Sequence, residues 1–361
     1  MNILLRDKTP HICIIGNGWW GKGLREALAL KNYNVTVFNS KSCLRDLLTL
    51  NCDLVFECTG DIEAAKTVAE LCLEKGVDMM TVNSEFDCHY GPYYASMFKL
   101  NNIQYCGCLG DQPGSLVKLH YDVGMMGFET VALGICKGFI NKYQTVEEAK
   151  KWTNDDQDPY KINSFADGTK LNIEAACVCN HIDANPAMRG MFGMDCPKED
   201  LAEEFGYLAG YVKDRIIDYT VGVKGINQEA GIFVVGMLKN ATTKMVSDMK
   251  YLKMGDGPYY LFFKDYHLCY FEAVTSITEM VDHNVSYIKN RYLNADVISI
   301  AKRSLSEGTV LDGIGGNCIY GEIDKVTTIE SKDYIPTALI KGLELNCNVS
   351  RDTPITFDMV K

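Results

Sequence analysis

Ile12-Cys-Ile-Ile-Gly16-Asn-Gly18-Trp-Trp-Gly21-Lys-Gly-Leu24 decides the fold. The short apolar run is a buried-strand signature, and Gly16-x-Gly18-x-x-Gly21 follows it without a break. In a dinucleotide-binding turn the first glycine permits the sharp reversal, the second lets the backbone approach a pyrophosphate, and the third lets the next helix pack close to its strand. Lys22 to Lys31 reads as that helix, with free N–H groups at its start for the pyrophosphate. Glycine turns without ligands are common, so the weight rests on this strand-turn-helix context. Gly16, Asn17, Gly18, Trp19, Trp20 and Gly21 are the first candidate cofactor-binding residues.

The next strand, Asn34-Val-Thr-Val-Phe38, runs into Asn39-Ser40-Lys41-Ser42. An NAD site usually carries an acidic residue here for the ribose 2′-hydroxyl. A hydroxyl and a lysine suit a 2′-phosphate instead, so the expected cofactor is NADP(H) rather than NAD(H), touched by Asn39, Ser40 and Lys41. Asp53 to Gly60 is the third strand, Asp61 an N-cap, Ile62 to Lys75 a helix and Gly76 its stop. Val77 to Val82 resumes the strand pattern, Pro92 to Leu100 is helical and Ile103 to Cys108 is another strand. This alternation predicts a doubly wound parallel sheet ending between Leu109 and Met126. Thr59, Gly60, Asn83 and Glu85 follow the carboxyl ends of strands and are expected to line the nicotinamide side. Glu85 and Asp87, read as loop carboxylates, are candidates to touch substrate or metal.

A chain of 361 residues is expected to form two or three domains with a substantial core. Its formal charge of −11 carries no sustained basic stripe, which argues against nucleic acid or an anionic membrane as partner. The fifteen cysteines are odd in number and scattered, without a CxxC spacing. Buried free thiols in a reducing compartment fit them better than zinc or a disulfide framework. The first residues lack the apolar core of a signal peptide, and the longest apolar stretch, Ile232 to Leu238, is too short to span a bilayer. A soluble, cytoplasmic protein is expected.

From Thr130 the texture changes to an α+β pattern. Val131 to Cys136 is a strand that delivers Lys137, and Thr145-x-x-Glu148 is a capping box for a helix through Trp152. Ile216 to Val223 and Gly231 to Met237 are further strands. One helix is expected from Ser164 to His181, with Lys170, Glu174 and His181 sharing a face. A lysine and a carboxylate so placed can hold a carbonyl and pass a proton, with Asp167 at the helix mouth capping it or joining a metal site. The plainer alternative is an i,i+4 pair on a solvated face. Arg189, in a glycine-punctuated loop, suits the grip of a carboxylate or phosphate. His267 follows an apolar strand-like run and is a candidate to orient substrate or donate a proton. Val297 to Ile300, Thr309 to Leu311 and Asp312-Gly-Ile-Gly-Gly-Asn317 suggest a strand-rich C-terminal appendage.

Read together, GNGWWGKG, Thr81-Val-Asn-Ser-Glu85, Leu109-Gly-Asp-Gln-Pro-Gly114, Ile135-Cys-Lys-Gly138, Asp167-Gly-Thr-Lys170, Arg189-Gly-Met191, Gly257-Pro-Tyr-Tyr and Tyr266-His-Leu268 resemble the homoserine-dehydrogenase-like proteins with a C-terminal SAF domain. One branch of that group is similar to 1-deoxy-D-xylulose 5-phosphate reductoisomerase. The resemblance implies a Rossmann domain over 1–125, a central substrate and dimerisation domain over 126–290 and an SAF-like domain over 291–361. It implies NADPH as cofactor, dimerisation through the central domain and, in the reductoisomerase-like branch, a divalent metal; a homodimer or homotetramer is expected, with Asp167 or Glu174 shuttling a proton or binding Mg²⁺ or Mn²⁺. It also makes Lys137, Asp167, Lys170 and Arg189 the best active-site residues. The lysine of the Asn-Lys pair that homoserine dehydrogenases carry after this strand is absent, which argues against homoserine as substrate. The resulting expectation is NADPH-dependent reduction, in a cleft between the first two domains, of a small phosphorylated or carboxylated polyol-type carbonyl, with or without isomerisation. The alternatives are a simple dehydrogenase and a non-catalytic nucleotide-sensing or assembly protein.

Overall fold

Ile12 to Ile15 lie in β1 (His11–Ile15) of the computed structural model, which describes residues 9–153, 157–221, 231–286 and 288–361. After β1 come α1 (Trp19–Ala29), β2 (Asn34–Phe38), β3 (Leu54–Glu57), α2 (Ile62–Lys75), β4 (Met79–Thr81), α3 (Ser84–Leu100) and β5 (Tyr105–Gly107). The five strands form one parallel sheet in the order β2-β1-β3-β4-β5. The order reverses between β1 and β3, so this is the expected doubly wound sheet with its switch point at the carboxyl ends of those two strands.

Both faces are covered, as a parallel sheet requires. Cys13, Ile15 and Val55 pack with Ala65, Val68 and Ala69 of α2 and with Phe86 and Phe98 of α3. Ile12, Ile14, Leu54 and Phe56 point the other way, onto Leu24 and Leu28 of α1. That second face is completed from far along the chain by the helix Tyr270–His283, through Ala273, Ile277 and Met280. Local signals behave as read. The Asp61 side chain accepts the Ala64 N–H at 2.8 Å, and Gly76 ends α2 at φ +74°. One differs: α3 starts eight residues before Pro92, because Asn83 caps it by accepting the Phe86 N–H at 3.2 Å. Glu85 and Asp87 therefore belong to a first helical turn rather than a loop. Asp87 is buried and bonded to the Tyr105 hydroxyl and the Asn290 amide, each at 2.6 Å.

The chain divides into two compact units, one of residues up to Ser115 with His267–Arg291, the other of Leu116–Tyr266 with Tyr292–Lys361. The division differs from boundaries at 125 and 290. The apolar face of residues 270–283 belongs to the first core, and the last strands pack with the middle of the chain instead of standing apart. α4 (Gln112–Met125) leads into the second unit, where β6 (Glu129–Lys137), α5 (Val146–Ala149), α6 (Pro159–Ala166), α7 (Thr169–His181), β7 (Asn185–Pro186), α8 (Leu201–Val212), β8 (Ile216–Val221), β9 (Ile232–Met237), α9 (Thr243–Tyr251) and β10 (Tyr259–Lys264) follow. The first unit's returning helix is α10 (Tyr270–His283), and β11 (Ala295–Ala301), β12 (Ile319–Lys325) and α11 (Val326–Ser331) close the second. A mixed sheet runs β10-β9-β6-β8-β7, and β11 and β12 form an antiparallel pair. Thr145 and Glu148 make the expected capping box. The expected extension of β8 to Val223 lies outside the described residues, and Val310 makes a single bridge to Glu344 instead of a strand.

The expected helix from Ser164 to His181 is two helices, broken where Asp167 ends α6 and Gly168 turns at φ +83°. All thirteen residues of α7 are buried, so no face of it is solvated. Its polar side chains are matched by strand backbone. Thr169 Oγ1 accepts the Gly321 N–H at 2.8 Å, Asn172 Oδ1 the Ile323 N–H at 2.9 Å, and Asn180 Oδ1 the Asn294 and Ala295 N–H groups at 3.0 and 3.2 Å.

Ile277 is 0% exposed at the centre of the contact between α10 and the first sheet. Ile277→Ala is expected to cost the first unit about 2–5 kcal/mol in urea titration followed by circular dichroism. A loss below about 0.5 kcal/mol, the range of surface changes, would show that α10 does not close this core.

Candidate active site

The glycine turn explains itself by distance. A β-carbon on Gly16, at φ +121°, would lie 2.7 Å from the Cys58 carbonyl oxygen, and one on Gly21 would lie 2.0 Å from the Gly16 carbonyl oxygen. One on Gly18 would meet nothing within 4 Å. Packing thus demands the first and third glycines, while the second fronts open space where a pyrophosphate can reach bare backbone. Gly18 is also the N-cap of α1, which has no side-chain cap and no acidic residue in its first turn. Trp19 is 64% exposed and set edge-on to Tyr270, with ring centroids 5.2 Å apart. After β2, Asn39 Oδ1 accepts the Lys41 N–H at 2.9 Å and Ser42 Oγ accepts the Asn39 N–H at 3.0 Å. Asn39 is spent on shaping the turn that leaves Ser40 and Lys41 exposed.

Thr59 and Gly60 follow β3, and Asn83 follows β4, at the same carboxyl edge. Glu85 is half-buried in the first turn of α3. Sequence reasoning missed Glu57, the 0%-exposed last residue of β3. Its one signal was a carboxylate ending an apolar Leu-Val-Phe run. Burial pushes its carboxyl up, and hydrogen bonds from Thr59 and Thr81 pull it partly back. His267 belongs to this first unit, with Nδ1 2.9 Å from the Gly110 carbonyl oxygen and 3.7 Å from Cys269 Sγ. Burial pushes the Cys269 thiol up to about 11.

In the second unit Lys137, at the end of β6, stands with Nζ 3.2 Å from Glu174 Oε2 on α7. Only 13% of the Lys137 side chain and 2% of the Glu174 side chain is exposed. Lys170 lies one turn before Glu174, and both it and His181 are buried. Glu174 is therefore held by Lys137 in a shielded pair, stronger than the surface i,i+4 contact that the spacing also allowed.

Asp167 is placed otherwise than expected. Its Oδ1 accepts the Thr169 N–H at 2.9 Å and its Oδ2 accepts Lys302 Nζ at 2.7 Å. Lys302 also donates to the Gln144 and Gly316 carbonyl oxygens at 3.0 and 2.7 Å, which uses all three of its protons. Burial raises the Asp167 carboxyl, and Lys302 opposes the rise. The pair is a buried clasp that ties the start of α7 to the C-terminal part of the chain. Asp167 and Glu174, the expected metal ligands, each face a lysine in this structure. Among the described residues no group of three or more His, Cys, Asp or Glu is placed to hold a metal ion.

Arg189 Nε lies 3.2 Å from Glu322 Oε2, and Lys142 Nζ lies 2.6 Å from Oε1 of the same carboxylate. The Arg189 side chain is 43% exposed, and Asp324 brings a second carboxylate within its electrostatic reach. Its loop is pinned by Asp218, whose carboxylate accepts the Phe192, Gly193 and Tyr219 N–H groups at 2.8 Å each. Lys142, Glu322 and Asp218 carried no motif in the sequence; only the fold brings them to Arg189.

Residues 110–273 match the family model described as oxidoreductase DRL, catalytic domain. The matched stretch contains Lys137, Asp167, Lys170, Glu174, Arg189 and His267. No curated protein matches the chain. Among solved structures it is similar to a homoserine dehydrogenase from Thiobacillus denitrificans, at 11% identity and a TM-score of 0.49 over 95% of this chain and 98% of that one. It is also similar to a hyperthermophilic archaeal homoserine dehydrogenase in complex with NADPH, at 9% identity and a TM-score of 0.39 over 79% and 100% of the two chains. An imine reductase from Bacillus cereus aligns at 15% identity and a TM-score of 0.24 over 32% of this chain, which spans about half, 51%, of that one. No helix among the described residues is long and apolar enough to cross a membrane.

Breaking the Asp167 clasp leaves a buried carboxylate without its cation. Lys302→Met is expected to lower stability by about 3–5 kcal/mol, with Asp167→Leu/Lys302→Met closer to the parent protein, as read by urea titration. A neutral single substitution would mean that the two groups do not pair.

Proposed function

We propose that this chain is an oxidoreductase that moves a hydride between NADPH and the carbonyl carbon of a small phosphorylated or carboxylated substrate. The observation that supports this reading best is the glycine turn at the β1/β3 switch point, where Gly16 and Gly21 are sterically required and Gly18 stands open. Bound there, the nicotinamide supplies the hydride. Lys41 and Ser40, exposed after β2 with no carboxylate beside them in sequence, receive the 2′-phosphate. Thr59, Gly60 and Asn83 at the carboxyl edge receive the nicotinamide half.

In the second unit, the Lys137 ammonium held against Glu174 donates to the substrate oxygen and delivers its proton as the alkoxide forms. Lys170, nearby on α7, adds positive charge where negative charge develops. Arg189, whose side chain is 43% exposed, grips the anionic end, and Glu322 orients it from the Nε side. The C-terminal segment, which we read as SAF-like from its sequence, supports this site through Glu322 and Lys302. An isomerising reaction using Mg²⁺ or Mn²⁺ would need a different donor set from the lysine-bound Asp167 and Glu174, so simple reduction is the form put forward.

Fluorescence titration with NADPH and NADH tests the cofactor reading. Folded protein is expected to bind NADPH more tightly, and Lys41→Glu to weaken NADPH by roughly ten- to a hundredfold while NADH changes little. No saturable response to either dinucleotide would sink the proposal.

A further inference from the structure

Glu57 has no part in the reaction just described, yet it is a carboxylate with 0% exposure in the first unit. It is fully buried at the end of β3, and no lysine, arginine or histidine among the described residues pairs with it. In the ladders it stands opposite Ile15, the residue before the first glycine of the turn, and opposite Thr81, the last residue of β4. Its position is therefore the switch point itself.

Each of its contacts is a donor pointing at it. Oε1 accepts the Thr59 N–H at 2.7 Å and the Thr59 hydroxyl at 2.6 Å, and Oε2 accepts the Thr81 hydroxyl at 2.6 Å. An acceptor-only carboxylate is the group that satisfies this arrangement, since an amide would aim N–H groups at one of the donors. The bonds then run on. Thr59 Oγ1 accepts the Asp61 N–H at 3.2 Å, Thr81 Oγ1 accepts the Asn83 N–H at 2.9 Å, and Asn83 Nδ2 donates to the Asp61 carbonyl oxygen at 3.2 Å. Glu57, Thr59, Asp61, Asn83 and Thr81 close into a ring. Asp61 caps α2 and Asn83 caps α3, so the ring fixes both turns at the carboxyl edge together with the helices that leave them.

We propose that Glu57 is a positioning residue: through this ring it holds Thr59, Gly60 and Asn83 in the geometry that receives the nicotinamide half of the dinucleotide. The adenine half, taken by the segment after β2, does not depend on the ring. This inference rests on the dinucleotide reading above. A merely structural carboxylate would weaken every ligand of the unit alike, whereas a positioning one separates the two halves of the cofactor.

Calorimetric titration of the full chain with NADPH, and separately with adenosine 2′,5′-bisphosphate, tests this. Unsubstituted protein is expected to bind both. Glu57→Gln is expected to weaken NADPH by about tenfold or more and to leave adenosine 2′,5′-bisphosphate within about twofold. Thr81→Val, which keeps the side-chain shape and removes one bond of the ring, is expected to act in the same direction and carries the comparison if Glu57→Gln loses its circular dichroism spectrum. Equal weakening of both ligands, or of neither, overturns the positioning role while the dinucleotide reading stands. Failure of the unsubstituted protein to bind either ligand overturns both.

Discussion

There is no room for a β-carbon between α1 and β1: on Gly21 it would stand 2.0 Å from the Gly16 carbonyl oxygen. That close approach lets the helix start directly on the end of the strand, and most of the first unit follows from it. Leu24 and Leu28 come down on Ile12 and Ile14, and the uncapped first turn of α1 opens at the β1/β3 switch point. Cys58, whose carbonyl oxygen presses on Gly16 from the neighbouring strand end, ties the turn to β3, and through Glu57 to β4. A steric constraint at two glycines is thus carried sideways across the sheet.

Buried carboxylates organise the molecule in two distinct ways. Asp167 and Glu174 are neutralised by lysines and hold segments that are distant in sequence, Lys302 from the C-terminal part and Lys137 from β6. Glu57 and Asp218 take no cation among the described residues and are bound by neutral donors, three apiece. Both are raised by burial, and both spend their oxygens on the backbone or hydroxyls of short segments that carry candidate site residues. An ion pair holds one point to another, whereas a carboxylate collecting several N–H and O–H groups sets the shape of a loop.

What could be read from the sequence was local. Strand and helix alternation to Cys108, the Asp61 cap, the Gly76 stop and the Thr145–Glu148 box each depend on residues within one or two turns, and each is present. The glycine turn was legible for the same reason. Burial of α7 was not: Lys170, Glu174 and His181 on one face read equally well as a solvated stripe, and the backbone that covers Thr169, Asn172 and Asn180 comes from Gly321, Ile323, Asn294 and Ala295. Asp167 was chosen by its place at a helix mouth, and nothing nearby announced Lys302. Arg189 was found, but its companions Lys142, Glu322 and Asp218 were not, because they converge only through the mixed sheet and β12.

The placement of α10 bears on how the chain comes to be folded during synthesis. Ile14, Leu54 and Phe56 leave the ribosome long before Ala273, Ile277 and Met280, yet these residues share one core. Until the later segment emerges, the nascent sheet has helices for one face and only α1 for the other. Vectorial folding therefore stalls with an apolar strand surface uncovered, the kind of surface that invites chaperone binding or aggregation. The order of residues along the chain makes the amino-terminal sheet wait for a helix in the last third of the polypeptide.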